Sequence, residues 1–351
     1  QLFTMRPKST EVLSGNVVGL DSFSLPKPNP KASVTIGGSN PPVSIRLDFG
    51  VEVPAWLEFD SLDFGGVSKV SATLAVGEYF QPWQSGATTY KLGSPKQYNT
   101  TYRLETNAEL YEGVRFAFLN FESTSTTSVT FSITGLRLVV QTKPVNYEGS
   151  FHSSDDPMLE SVWWVAAWTV RSNLLKDYFG SILMDRGDRE AWTGDAHPSQ
   201  AAALVSFHNL DFIKQNIASS IHGSGAGFPT YQCYWVLSIL DYFNYSGDVS
   251  ILTTYAIKME QLLSPLAISV LAGNRLGLGF VGWDDRTGAG FSNSSCVECE
   301  NDLRMILLRT VNESGHAYKS VNASLSQLLL GYSGEEMCVC TIDRGRGRGE
   351  K

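Results

Sequence analysis

No stretch of this 351-residue chain reaches the roughly 18 consecutive apolar residues that a bilayer-spanning helix needs, so a membrane partner is not expected. Positive charge is in short supply: 27 Lys and Arg stand against 35 Asp and Glu, giving a formal charge of −8 and a pI near 5.2. That balance argues against nucleic acid as a partner, since phosphate binding needs clustered Lys and Arg. Histidine is rare, at five residues, and cysteine is as rare and odd in number. The cysteines include one C-x-x-C, Cys296 and Cys299, and one C-x-C, Cys338 and Cys340. A zinc site calls for four ligands at paired spacing; buried thiols or a local disulfide are expected instead, and no cofactor is expected. No signal peptide precedes Gln1 and no Met opens the chain, the pattern of a mature chain or a fragment.

The chain has an apolar fraction of 42% and a mean hydropathy near zero, as in ordinary globular proteins, and its length suggests about two domains. Eight Trp suit both sugar binding and core packing. Five Asn-x-Ser/Thr sequons, at Asn99, Asn244, Asn293, Asn312 and Asn322, compare with about three expected by chance. An extracellular or secretory location is the expectation they favour.

Residues 1–31 are rich in Ser, Pro, Gly and Asn and read as irregular. From about Ala32 to Thr142 the apolar period is near two, in short runs separated by turn residues, which predicts an antiparallel β-sandwich. Ile45, Leu47 and Phe49 alternate with Ser44, Arg46 and Asp48 and should share the buried face. Trp56, Tyr79, Phe80 and Trp83 have the chemistry to stack on sugar, but core or inter-domain packing is the reading adopted for each.

After a linker with Pro144 and Gly149 the period changes to 3.6. Asp156-Pro157 reads as an N-cap followed by Pro at the first helical position. Leu159, Trp163, Ala166, Val170 and Leu174 predict one face of a helix of about six turns. Further helices are expected over 198–207, 211–221, 229–245, 248–263, 298–311 and 318–330, with a glycine-rich loop over 273–295. With no β-α alternation, this half reads as helical hairpins. The organisation expected is thus a sandwich over 1–148, a hairpin domain over 149–332 and an irregular tail over 333–351. An Arg-Gly-rich RNA-binding tail is not favoured, because three Arg-Gly pairs are too few.

The segment 181–200 concentrates charge. Asp185, Arg186, Asp188, Arg189, Glu190 and Asp195 lie within eleven residues around Trp192, in a chain that is 18% charged overall. Two readings fit: a solvated turn between helices, and a row of carboxylates and guanidiniums around a polar ligand. Paired carboxylates near Trp suit glycoside hydrolysis, which needs one protonated acid for the leaving oxygen and a second carboxylate across the ring.

The run Arg186-Gly187-Asp188-Arg189-Glu190-Ala191-Trp192-Thr193-Gly194-Asp195 resembles the R-x-[DE]-R-x-x-W-T-G-D signature of the α-L-rhamnosidases, the six-hairpin glycosidases. The segments 229–248 and 279–286 resemble further parts of that family's helical domain. The resemblance implies an N-terminal β-sandwich followed by an (α/α)6-type toroid, and inverting hydrolysis of terminal α-L-rhamnosyl or related sugars. It puts Asp188 in the place of the proton donor, usually Glu in the family and here one methylene shorter. It puts Asp195, and with it Asp185 and Arg189, among groups that contact sugar, and Trp192 against the sugar or as a brace for the loop. Trp283 and Asp285 are candidates in the later loop. The alternatives are an N-cap role for Asp195 in a helix near Pro198, core packing for Trp192 and Trp283, and a structural role for His197. No motif marks a general base among Glu298, Glu300, Glu335 and Glu336. The hairpin segment is shorter than a full toroid, so a partial barrel, incomplete toward its C-terminal end, is the expectation, and a catalytically impaired sugar-binding protein that keeps the fold is the alternative to a hydrolase.

Overall fold

A computed structural model describes residues 1–81, 90–105, 113–180, 190–208, 210–221, 227–276 and 297–334. The chain divides into two compact units, one ending at Pro144 and the other beginning at Val145.

In the first unit, β1 (Leu2–Met5), β2 (Ser9–Ser14) and β3 (Asn16–Val18) occupy the segment read as irregular, which corrects that expectation. They are short, and each is fixed by a distant partner: β1 by β12 (Gly135–Gln141), β2 by β5 (Val43–Asp60) and β3 by β4 (Ala32–Ile36). No local period announces strands of three to six residues. The 18-residue β5 organises the larger sheet. Its first half pairs with β10 (Gly113–Ser123), which in turn pairs with β6 (Val70–Gly77). Its second half pairs with β12 and β9 (Thr101–Leu104). Between the halves the register shifts opposite Arg115, and Gly50 sits at φ +79°, with its N–H on Asp48 Oδ1 at 2.7 Å. A second sheet runs β11 (Val129–Ile133), β4, β3. Ile45, Leu47 and Phe49 are buried, as alternation predicts. Phe121 of β10 meets Phe131 of β11 edge-on at 5.0 Å, and Phe64 touches both, so the apolar faces of the two sheets share these rings.

Among the described carboxyls of this unit, that of Glu52 is shifted upward. Burial first, and the neighbouring Glu78 second, push Glu52 up to about 7. The folded chain therefore holds that proton more tightly than the unfolded chain between about pH 4.5 and 7. Stability should be fully present below that window and fall as pH rises through it. Discounted for the group's partial exposure, the loss is on the order of 1–2 kcal/mol. Urea titrations at pH 5 and 8 should show the slope in the wild type and its absence in Glu52→Gln; equal slopes would refute the assignment.

The second unit is helical. Asp156 caps α1 (Pro157–Ser172), accepting from the Met158 N–H at 2.9 Å with Pro157 at the first position. The helix is shorter than the six turns expected. After Asn173 the chain folds back, a bridge joins Leu174 to Phe179, and both side chains enter the core. The buried face is also shifted: Ala167 and Val170 are buried, whereas Met158, Leu159, Val162, Val165 and Ala166 are exposed. The remaining helices are α2 (Thr193–Ser206), α3 (Leu210–Ser220), α4 (Pro229–Ser246), α5 (Val249–Leu271), α6 (Val297–Ala317) and α7 (Ala323–Tyr332). Gly247, at φ +69°, ends α4 by returning its N–H to the Phe243 carbonyl. Asp248 then caps α5, and Ser250 and Lys214 hold its carboxyl down at about 2. The core of this unit gathers Leu204, Ile213, Trp235, Met259, Leu263, Leu307 and Tyr318. Among the described residues no helix is long and apolar enough to cross a membrane.

Candidate functional site

Asp185, Asp188, Arg189, Trp283 and Asp285 lie outside the described residues, as do Asp284 and Arg286. The second half of the charged motif, from Glu190, is described, and there each residue of Trp192-Thr193-Gly194-Asp195 has its own contact with the start of α4.

Helix α2 begins at Thr193, five residues before Pro198, which lies inside it. Trp192 occupies the capping position without a side-chain cap, so the usual start signal is absent from the sequence. Asp195 is therefore in the first turn rather than the N-cap, and the N-cap alternative is corrected. A carboxylate there faces the positive end of the helix. Thr193 is buried and donates its hydroxyl to the Tyr231 carbonyl at 2.7 Å. Tyr231 donates its own hydroxyl to Asp195 Oδ2 at 3.4 Å, while Asp195 stays exposed. Trp192 stacks on Phe228 with centroids 6.2 Å apart and planes 20° apart, and it meets Tyr231 edge-on at 6.2 Å. It is half-buried, so simple core burial does not describe it.

Gly194 lets α2 approach this closely. A Cβ there would lie 2.2 Å from Tyr231 Cε1 and 2.6 Å from Cδ1 and Cζ. Gly194→Ala should destabilise the unit by about 1–3 kcal/mol through overpacking and displace the Tyr231 ring. Gly331→Ala in α7, where nothing lies within 4 Å of the added carbon, should be neutral or slightly stabilising. Urea unfolding of the two variants checks the contrast; equal effects would remove the role given to Gly194.

The aromatic cluster continues along α4. Tyr231 and Tyr234 are one turn apart with centroids at 6.5 Å, and the His197 ring lies 5.3 Å from Tyr234. Burial raises the Tyr234 phenol above its ordinary value. His197 Nε2 is 3.1 Å from Asp241 Oδ2, the satisfied histidine that the sequence favours. Phe228, Tyr231, Tyr234 and Asp241 are absent from the sequence-derived site residues. The usable signal is the i, i+3 spacing of the two tyrosines at the start of an apolar helix. Trp235, the next residue, is fully buried and donates its N–H to the Ile217 carbonyl of α3.

Glu300, one of the carboxylates available as a base, is committed elsewhere. It is buried, lies 3.2 Å from Arg304 Nε, and accepts the Leu276 N–H. Arg304 also donates to the Asn274 carbonyl, so the pair pins the end of α5 to α6. Glu335 and Glu336 lie outside the described residues, and so does the side chain of Glu298. Cys233 is buried and free, with burial pushing its thiol up to about 12; the side chains of Cys296, Cys299, Cys338 and Cys340 lie outside the described residues. Among the described residues no three His, Cys, Asp or Glu side chains stand together as metal ligands would.

The arrangement presents an exposed carboxylate, Asp195, near the half-buried rings of Trp192 and Phe228, with the buried Tyr231 in contact with both rings and with the carboxylate. Such a surface offers acceptors for hydroxyl groups and apolar faces for the C–H side of a ring.

No family model matches the chain, and no curated protein matches it. Solved structures do. The chain is similar to a rhamnosidase from Klebsiella oxytoca with rhamnose bound, at a TM-score of 0.66 and 14% identity, over 98% of this chain and 71% of that one. It is also similar to an α-L-rhamnosidase from Dictyoglumus thermophilum, at a TM-score of 0.64 and 13% identity, over 97% of this chain and 37% of that one. An antiparallel β-sandwich followed by helices is common to this likeness and to the sequence expectation, and the chain has an α-L-rhamnosidase-like fold.

Proposed function

We propose that this protein is a glycoside hydrolase acting on terminal α-L-rhamnosyl or related sugar residues with inversion. The observation that carries the reading is the anchoring of Trp192-Thr193-Gly194-Asp195 on Phe228 and Tyr231, which leaves Asp195 exposed beside an aromatic platform. In this reading Asp195 accepts hydrogen bonds from ring hydroxyls and Trp192 packs on or braces the sugar. Asp188, Asp185 and Arg189 belong to the same charged segment, with Asp188 protonating the leaving oxygen. Trp283 and Asp285 make further sugar contacts. Inversion needs a second carboxylate about 6.5–9.5 Å from the donor to activate water; Glu300, held by Arg304, is unsuited to that role.

The test is a panel of aryl glycosides, α-L-rhamnoside included, offered to the wild type and to Asp188→Asn. Hydrolysis of the rhamnoside by the wild type and its loss in the variant is the expected result. A folded wild type that binds sugar in calorimetry but hydrolyses none of the panel would replace the enzyme with a carbohydrate-binding protein.

A further inference from the structure

The alternation that buries Ile45, Leu47 and Phe49 turns Arg46 and Asp48 to the other face of the larger sheet. Pairing then sets neighbours beside them: Glu11 opposite Arg46, and Ser9 and Phe116 on either side of Asp48. Together with Phe80 these residues line an open cleft of about 280 Å³. Phe80 and Tyr79 were expected in a core or a domain contact, yet both are about half exposed, at 49% and 54%. Phe80 is held in place all the same. Its carbonyl accepts from Arg46 Nη1 at 3.1 Å, the Arg46 guanidinium lies 5.5 Å from its ring, and the ring meets Phe116 at 6.4 Å.

We infer that this cleft is a second ligand site, on the sandwich unit, and that it takes a neutral pyranose sugar. Three features point to that class. The charges are paired: Arg46, in the cleft, with Glu11, and Asp48 with Arg115 beside it at 3.2 Å, so neither carboxylate of the cleft is left without a guanidinium partner. Exposed ion pairs contribute little to stability, but paired guanidinium and carboxylate groups alternate donors and acceptors as neighbouring sugar hydroxyls do. The half-exposed Phe80, backed by Phe116, offers an apolar wall to the C–H face of a ring. The volume, about 280 Å³, is just below the roughly 300 Å³ at which drug-sized sites begin, which suits one sugar ring rather than a long chain. The assignment does not depend on the helical unit being a hydrolase.

The test is calorimetric titration of the full chain with methyl α-L-rhamnoside, methyl β-D-galactoside and methyl β-D-glucoside, with D-galacturonate as the charged probe. At least one neutral glycoside should bind, and Phe80→Ala and Asp48→Asn should each weaken that binding by about tenfold or more. Both should keep the wild-type melting temperature and hydrolysis of small aryl glycosides. Trp192→Ala should retain this binding event. Isotherms that coincide for the wild type, Phe80→Ala and Asp48→Asn would overturn the site, as would loss of all sugar binding in Trp192→Ala. Tighter binding of galacturonate than of every neutral glycoside would overturn the ligand class.

Discussion

Replacing Trp235 with alanine is expected to destabilise the helical unit by about 3–5 kcal/mol. The indole is fully buried, donates its N–H to the Ile217 carbonyl at 2.9 Å, and meets Tyr255 edge-on at 5.2 Å. Truncation therefore removes the contacts of a large ring, opens a cavity and takes a donor from a buried carbonyl. For a unit of this size the melting temperature should fall by roughly 10 °C. Trp235 also ties α4 to α3, and α4 carries Phe228 and Tyr231 near its start. The variant should thus also weaken the sugar binding proposed for Trp192 and Asp195. Thermal melting followed by near-ultraviolet dichroism checks the prediction; a loss under about 1 kcal/mol would contradict the packing described.

Replacing Asp188 with asparagine is expected to lower kcat on aryl α-L-rhamnosides by about 10²–10⁴-fold, the usual worth of a positioned general acid. KM should change little, because the amide keeps the size and polarity of the carboxyl. Asp195→Asn should act differently. A group that binds hydroxyls in the ground state and the transition state alike raises KM when weakened. The contrast between the two variants separates proton donation from sugar binding. Leaving groups of low pKa, which need less protonation, should partly rescue Asp188→Asn and leave Asp195→Asn unrescued. An equal loss in both, with no leaving-group dependence, would contradict the separate roles.

Much of the fold is legible in the sequence because the signals are local. Ile45, Leu47 and Phe49 announce a half-buried strand by alternation, and Asp156-Pro157 and Asp248 announce helix starts by capping chemistry. What escapes is set by partners far along the chain. Strands β1 to β3 have no period of their own and exist through pairing with β12, β5 and β4. The start of α2 escapes because Trp192 is not a capping residue and Pro198 sits inside the helix, against the usual preference for its first position. At the site, Thr193, Gly194 and Asp195 are readable as a motif, but their reasons are not. Each depends on Tyr231, 36 to 38 residues away, through its carbonyl, its ring and its hydroxyl. The exposure of Phe80 escapes for the same reason: an aromatic residue next to a strand defaults to core until the face it stands on is known.

The most direct test of the central claim is to follow the hydrolysis of an aryl α-L-rhamnoside by proton NMR and identify the first anomer released. Expected are turnover by the wild type, a rate lower by about 10²–10⁴-fold in Asp188→Asn, and β-L-rhamnose as the first product, with the α anomer appearing later by mutarotation. Release of α-L-rhamnose first would contradict inversion, and no turnover by a folded wild-type protein would contradict the assignment of hydrolysis itself.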